Sequence, residues 1–300
     1  MSKNNKILAL VVTYNRLELL ERCLNHLRGQ SVLPDILIIN NSSTDGTTEF
    51  LKENLIDHIT QENSGSAGGW ARGLSEGWSR GYQYIWMMDD DGFPDTKALE
   101  VLLNKTDENT ICISSLVVKE NAREELVFGM PLMNKKGLPV IFSRKRKYYT
   151  RKEIPSIDRK YPHAHLFNGA LINLEKVKSV GNIDMGYFMY GDEVEFFYRM
   201  KQSGEISTAL DALHYHPDVS KRSIDKKKVY YFIRNTIILN HLYFNRPMTR
   251  DMLTIIIALY RIMRRNGLGQ MLSYLFSGNR KFFYPALSDG YKKKKINRFV

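Results

Sequence analysis

Apolar and polar positions over the first 120 residues alternate between two periods. KILALVV (Lys6–Val12) is a short run rich in β-branched residues, the pattern of a strand buried on both faces. Asn15 with Glu18 three positions on makes a capping-box-like start. Leu17, Leu20, Leu24 and Leu27 then share one helical face, closed by Gly29. The alternation recurs. DILII (Asp35–Ile39) runs into the turn formers NNSSTDGT and a short helix through Phe50 and Leu51. Ile56–Thr60 runs into the Gly-rich loop ENSGSAGG and a helix from about Ala71 to Arg80. YQYIWMM (Tyr82–Met88) is the next strand, followed by a helix over Thr96–Asn104 and a strand over Ile111–Val118.

Alternating strands and helices predict an α/β architecture with a mostly parallel sheet and right-handed crossovers. Ligands of such open sheets lie beyond the carboxyl ends of the strands. Three of the expected strand ends carry polar groups there: Thr13–Arg16, Asn40–Asp45 and Asp89–Asp91. Residues 119–160 are less regular and basic in places, and read as an insertion or mobile loop. Order resumes with a strand and helix in FNGALINLEKVKSVG (Phe167–Gly181). After His216 the pattern becomes helical and rich in Tyr, Ile, Leu, Lys and Arg. The expected division is a catalytic domain over 1–220 and a basic helical region over 221–300.

Composition sharpens this division. With 300 residues, 43% of them hydrophobic, the chain can bury a full core. Two cysteines, Cys23 and Cys112, exclude a disulfide framework and a thiolate metal site and fit a reducing cytosol. The apolar part of MSKNNKILALVVTYNR is too short for a signal peptide, and no run is long enough for a transmembrane helix. The net charge of +12 is uneven. From Lys221 to Val300, 18 Lys and Arg face Asp225, Asp251 and Asp289, so 18 − 3 = +15, leaving 12 − 15 = −3 for residues 1–220. A basic tail of this kind points to a polyanionic partner, either a membrane surface or nucleic acid.

WMMDDDGFPD (Trp86–Asp95) ends a buried-looking run with three adjacent carboxylates. On an exposed turn they would have no task. At a strand end facing two other polar strand ends, they are hard oxygen ligands for Mn²⁺ or Mg²⁺. In GDEVEFFYRM, Asp192 with Glu195 reads equally as a helix cap or as part of a catalytic site. Glu193 and the preceding aromatic stretch GYFMYG suggest a general base beside a sugar-acceptor shelf of Tyr187 and Tyr190. His214 and His216 fall on one face of a strand, and by spacing alone read as a surface pair before a metal ligand. Gly68, Gly69 and Arg72 sit where a Gly-rich entry to a helix meets phosphate, without a P-loop spacing.

Taken in order, VVTYNR, the NNSSTDGT turn, the Gly-rich loop, DDD, FNGALI and GDEVEFFYRM resemble family 2 inverting glycosyltransferases of the GT-A fold. YYFIRN (Tyr230–Asn235) resembles their bacterial rhamnosyl- and galactofuranosyltransferase branch. The resemblance covers roughly residues 6–240 and implies a Rossmann-like, mostly parallel sheet flanked by helices. It implies a nucleotide-sugar donor held by Thr13, Asn15, Arg16, Asn41, Gly68, Gly69, Arg72 and Asp90. It also implies Mn²⁺ or Mg²⁺ on Asp89 and Asp91 with His216 as a further ligand, for which His214 competes. Asp192 or Glu193 takes the acceptor proton, and Tyr187 and Tyr190 face the acceptor. DDD leans to UDP-galactofuranose, with dTDP-rhamnose as the alternative. Asn41, standing where some relatives have a uracil-contacting Asp, accommodates uracil or thymine. The acceptor implied is a cell-surface glycan or lipid-linked precursor, reached from the cytoplasmic face of an anionic membrane.

Three rival functions make different demands on these residues. A metal-dependent phosphohydrolase or nucleotidyltransferase would release phosphate or pyrophosphate instead of an intact nucleoside diphosphate. A nucleic-acid-binding protein leaves the acidic crevice unexplained, so no nucleic acid is expected. A non-catalytic nucleotide-sugar binder has no need of Asp192 and DDD.

Overall fold

Strand β1 (Ile7–Thr13) is buried along its whole length, which requires a layer of side chains on each face of the sheet. The computed structural model, which describes residues 6–141, 143–155, 158–220 and 223–299, supplies both layers. The chain forms two compact units. The first comprises Met1–Ser64, Gly68–Ile183 and Arg199–Asp218; the second comprises Gly65–Ala67, Asp184–Tyr198 and Val219–Val300. The second unit therefore holds the segment carrying GYFMYG and Asp192, as well as the basic helices.

Along the chain β1 is followed by α1 (Leu17–Arg28), β2 (Asp35–Asn40), α2 (Thr47–Glu53), β3 (His58–Thr60), α3 (Gly65–Ser79) and β4 (Tyr84–Asp89). Then come β5 (Phe93–Pro94), α4 (Ala98–Asn104), β6 (Thr110–Lys119), β7 (Ala122–Pro131), β8 (Lys147–Thr150), β9 (Lys160–Tyr161), β10 (Asn168–Asn173) and α5 (Leu174–Val177). Helix α6 (Asp192–Met200) precedes the last strand, β11 (Glu205–His216). The sheet order is β3-β2-β1-β4-β10-β6-β11-β5. β1 pairs in parallel with β2 and β4, β2 with β3, and β6 with β11, while β10 runs antiparallel between β4 and β6. The reversal has a simple cause: β6 continues into the antiparallel β7 without a crossover helix, so the chain returns to the sheet in the opposite sense. The described part of 119–160 is thus strand-rich, while Phe142, Ser156 and Ile157 of that stretch lie outside the described residues.

Alternation along β1 sorts its side chains. Ile7, Ala9 and Val11 join Leu20, Leu24 and Leu27 of α1, Leu51 of α2 and Leu99 and Leu102 of α4 in one core cluster. Leu10 and Val12 point to the other face, where they meet glycines of α3. A Cβ on Gly69 would lie 2.6 Å from Val12 Cγ1, and one on Gly73 would lie 2.1 Å from Leu10 Cδ2. Gly77, four residues on, faces Leu174 and Ile85. The i, i+4, i+8 glycine stripe lets α3 lie directly on the sheet. It also explains why the helix starts at Gly65, several residues before the start expected from glycine's poor helix propensity.

The second unit is built on α7 (Lys226–Tyr243), α8 (Pro247–Asn266), α9 (Leu268–Phe276) and α10 (Arg280–Tyr291). Tyr230, Tyr231, Ile233 and Ile237 of α7 pack with Ala258 and Ile262 of α8, Tyr274 of α9, and Phe282 and Phe283 of α10. Among the described residues no helix is long and apolar enough to cross a membrane.

The glycine stripe yields a prediction of definite sign. In an exposed helix Gly→Ala stabilises by about 1 kcal/mol. Gly73→Ala should instead destabilise by roughly 1–3 kcal/mol, because the added methyl meets the fully buried Leu10. Thermal unfolding should therefore show Tm lowered by a few degrees; a raised Tm would mean that helix and strand do not touch there.

Candidate active site

Parallel register brings the ends of β1, β2 and β4 together: Thr13 lies beside Asn40, and Val12 beside Asp89. Asp89 closes β4, its N–H donating to the Phe167 carbonyl at 2.8 Å. Asp90 and Asp91 follow in the turn, and both are buried. Burial pushes the Asp90 carboxyl up, opposed by the Arg16 guanidinium and the Thr13 hydroxyl. The hydroxyl donates to Oδ2 at 2.7 Å, and Arg16 Nη1 donates to Oδ1 at 2.9 Å. The same Nη1 lies 3.2 Å from Asp91 Oδ2. Arg16 is half exposed, so one cation faces two acids from the solvent side.

The loop that carries Arg16 is held by the next strand end, and not by the expected capping box. Asn15 sits in the left-handed region at φ 52°. Its N–H donates to Ser43 Oγ at 2.9 Å, and its Oδ1 accepts from the Thr44 N–H at 2.7 Å. The first N–H of α1, that of Leu17, donates to Asp45 Oδ2 at 3.0 Å. Asn41 is buried beside them. Its N–H donates to the Thr13 carbonyl at 3.0 Å and its Oδ1 accepts from Gln61 Nε2 at 3.0 Å.

β11 delivers the two histidines differently. His216 Nε2 lies 3.1 Å from Asp91 Oδ1, while its Nδ1 is 2.8 Å from the Pro217 carbonyl. The carbonyl can only accept, so Nδ1 carries a proton, and Nε2 is the ring atom turned toward the carboxylate. Two electron-rich atoms at that distance need a proton or a cation between them. Ligands about 2.1 Å from a Mg²⁺ or Mn²⁺ ion and at right angles to each other are about 3.0 Å apart. The Asp91–His216 pair therefore fits two positions of such a shell, and the Pro217 contact is the usual outer support of a ligating imidazole. Among the described residues no group of three or more His, Cys, Asp and Glu side chains forms a ready-made cage. A partial shell completed by substrate oxygens and water is normal for Mg²⁺. His214 is fully buried, neither ring nitrogen has a hydrogen-bond partner among the described residues, and burial with His216 nearby pushes it down to about 3. Its ring fills the space left by Gly92 and Gly169, where a Cβ would lie 2.3 Å from Nε2 and 3.1 Å from Nδ1 respectively.

Three expected donor residues are placed otherwise. Gly68 and Gly69 lie inside α3, where side chains would strike Ser64 and Val12. Arg72 is exposed and pairs with Glu76 at 3.0 Å, one turn on. Arg22 has no local signal in the sequence, yet its Nη2 donates to the Asp91 carbonyl at 2.9 Å and its guanidinium stacks on Phe93.

In the second unit, Asp192 opens α6 and is buried. Its carboxyl accepts from Ser66 Oγ at 3.1 Å and from the backbone N–H groups of Glu193 and of Asp192 itself. Burial outweighs these donors and pushes it up to about 6. Glu193 follows, half-buried. Glu195 Oε1 accepts from the Tyr243 hydroxyl at 3.1 Å. The turn leading in is left-handed at Phe188, Tyr190 and Gly191. It is gripped by α7: Arg234 Nη2 donates to the Gly186 and Tyr187 carbonyls at 3.0 Å each. Asn235 Nδ2 donates to those of Tyr187, Met189 and Tyr190. Tyr187 has no exposed surface, packing on Ile238 and Leu239 with Lys295 over its ring. Tyr190 is half exposed, so of the two expected shelf residues it is Tyr190 that presents a ring to solvent.

The chain is similar to known proteins in both sequence and fold. Residues 9–170 match the family described as Glycosyl transferase family 2. Over 225 residues, 72% of each chain, the sequence is 32% identical to the galactofuranosyltransferase GlfT1 of Mycolicibacterium smegmatis. The fold is similar to the crystal structure of S. aureus TarS residues 1–349, with TM-score 0.55 and 15% identity over 96% of this chain and 81% of that one. It is also similar to the mannosyltransferase PcManGT of Pyrobaculum calidifontis, solved with GDP-Man and Mn²⁺, with TM-score 0.55 and 13% identity over 98% and 88% of the chains.

The Asp192 environment makes a prediction about stability. Its carboxyl holds a proton up to about pH 6 when folded, against 3.8 ordinarily. The folded state thus binds more protons between those values, and stability falls as pH rises through that window. Asp192→Asn removes this cost. At pH 7.5 it should be more stable than the parent by on the order of 2–3 kcal/mol, and the difference should vanish near pH 4. Thermal melts at the two pH values test this; an equal or lower Tm at pH 7.5 would contradict it.

Proposed function

The chain belongs to glycosyl transferase family 2 and has the GT-A fold, and from that premise we propose that it is an inverting, metal-dependent galactofuranosyltransferase. The donor in this reading is UDP-galactofuranose, and the acceptor is a hydroxyl of a cell-surface glycan or lipid-linked precursor. The choice of sugar rests on the 32% identity to GlfT1. A nucleotide-sugar donor and a divalent ion accord with the GDP-Man and Mn²⁺ complex of PcManGT.

One observation carries the chemistry: the meeting of Asp91 with His216 at 3.1 Å beside a buried acidic turn. Asp89, Asp91 and His216 are the residues that would hold Mn²⁺ or Mg²⁺. Bound there, the ion would supply positive charge against the donor's diphosphate. Arg16, exposed on one side and anchored to Asp90 on the other, adds a second positive group. Thr13, Asn15 and Asn41, at or just beyond the strand ends, are the residues that would receive the nucleotide, with Thr13 and Asn41 buried and Asn15 exposed. Gly68, Gly69 and Arg72, which the resemblance implies hold the donor, would act through the placement of α3.

Asp192 is the proposed base, in preference to the less buried Glu193. It takes the proton of the acceptor hydroxyl as that oxygen bonds to the anomeric carbon. The bond from that carbon to the diphosphate oxygen breaks on the opposite face, so the configuration inverts and UDP leaves intact. A carboxyl that titrates near 6 is ionised at neutral pH and is a stronger base than an ordinary one. Tyr190 offers a ring against which an acceptor sugar can lie, with Tyr187 beneath the turn. The basic helices of 221–300 would bring the enzyme to the anionic inner face of the cell membrane.

With Mn²⁺ and a panel of UDP- and dTDP-sugars, UDP-galactofuranose should give the fastest acceptor-dependent release of UDP; release of phosphate or pyrophosphate would point to a hydrolase. Asp91→Ala should abolish metal-dependent donor binding in calorimetry. Asp192→Asn should bind donor within about twofold of the parent, yet lose on the order of 10²–10⁴ in kcat. Equal loss of binding in both variants contradicts the division of roles. The parent's rate should fall about tenfold per pH unit below about pH 6, as Asp192 takes up its proton.

A further inference from the structure

From Pro247 to Tyr260, helix α8 lacks the polar outer face that a solvated helix carries. Between Pro247 and Tyr260 its exposed residues are Met248, Met252, Ile256 and Tyr260, each more than half exposed and spaced one turn apart. Its opposite face is filled normally, with Thr254, Ala258 and Ile262 buried. Successive steps of four residues advance about 40° around a helix, so the row spans about 120°, the width of an apolar stripe that packs on something. The next helix repeats the pattern: Leu268, Leu272 and Phe276 of α9 are exposed at the same spacing.

Charge says what covers the row. Arg246 precedes it, and Arg261, Arg264 and Arg265 follow it, all exposed. A cleft of about 870 Å³ at the Arg265 end is also lined by Lys226 and Lys228, with Asp225 as its acid. The surrounding region carries 18 − 3 = +15 from Lys221 to Val300. A second copy of the chain would bring two such regions together, which like charges oppose. An anionic surface is complementary. The row from Met248 to Tyr260 is about 18 Å long, too short to span a hydrocarbon core of about 30 Å but suited to lying flat at its edge.

We infer that the apolar rows of α8 and α9 insert into the interfacial layer of a bilayer containing anionic lipid, with the flanking arginines on its headgroups. This deepens the membrane-surface reading given above and rests on it: charge alone would hold the protein near the headgroups, whereas the rows enter the acyl boundary.

The test uses the full chain and phosphatidylcholine vesicles with and without phosphatidylglycerol. The parent should co-sediment with the anionic vesicles and keep part of its binding at high salt. Met252→Glu/Ile256→Glu, checked for an unchanged melt and circular dichroism spectrum, should bind at least about tenfold more weakly, while Met252→Leu/Ile256→Leu should bind as the parent does. In Ile256→Trp the new indole should be quenched by brominated acyl chains. If the Glu variant binds as well as the parent and all binding is lost in salt, insertion is overturned and the electrostatic reading stands. If no variant, parent included, binds anionic vesicles, both are overturned. If the parent forms a lipid-free dimer in sedimentation equilibrium that the Glu variant cannot form, the row is a self-association face and the inference fails.

Discussion

Two adjacent buried carboxyls are hard to keep in a protein, and the strand-end crevice is organised around doing so. Asp90 and Asp91 follow one another in a turn whose side chains are almost wholly withdrawn from solvent. Their repulsion and lost hydration must be offset locally. Arg16 touches both, Thr13 donates to one, and His216 faces the other. Arg16 works only if its loop is stationary, and that loop is tied by Ser43, Thr44 and Asp45. The three loops beyond β1, β2 and β4 therefore form one interlocked assembly in which a single guanidinium faces two buried acids.

Much of this was legible in the chain itself. A strand buried on both faces announces itself as an uninterrupted β-branched run, and β1 and β2 lie close to where such runs are. Turn formers at the strand ends mark where the sheet stops, so the convergence of Thr13, Asn40 and Asp89 followed from topology alone. The triplet DDD was conspicuous because no folding reason calls for three adjacent acids. His216 could be separated from His214 only in three dimensions. Both share a strand face, but glycines at 92 and 169 open a pocket for one ring while the Pro217 carbonyl orients the other.

What was not legible depends on long-range packing. Glycine disfavours helix, so Gly65–Gly69 read as loop; the close approach to Leu10 and Val12 reverses that preference. The antiparallel entry of β10 has no local signature, since it follows from the missing crossover after β6. Asn15 and Glu18 matched a cap that the fold fills from Asp45 instead. Arg22 and Ser66 carry no pattern whatever, because what matters is the main-chain carbonyl or carboxyl they happen to reach. The displaced titration of Asp192 likewise comes from burial, which spacing does not encode.

The grip of Arg234 and Asn235 on the turn before Asp192 has an implication for divergence. Both side chains bind carbonyl oxygens, which every amino acid possesses, and so they register the path of the backbone without sensing which residues travel along it. Left-handed conformations at two bulky positions each carry a penalty of about 1–2 kcal/mol, and the amide and guanidinium donors compensate it whatever ring or chain hangs outside. Substitutions at the solvent-facing position 190 can therefore accumulate while the following helix keeps its starting point. A lineage can in this way retune what the loop touches and inherit the buried carboxyl of Asp192 unchanged.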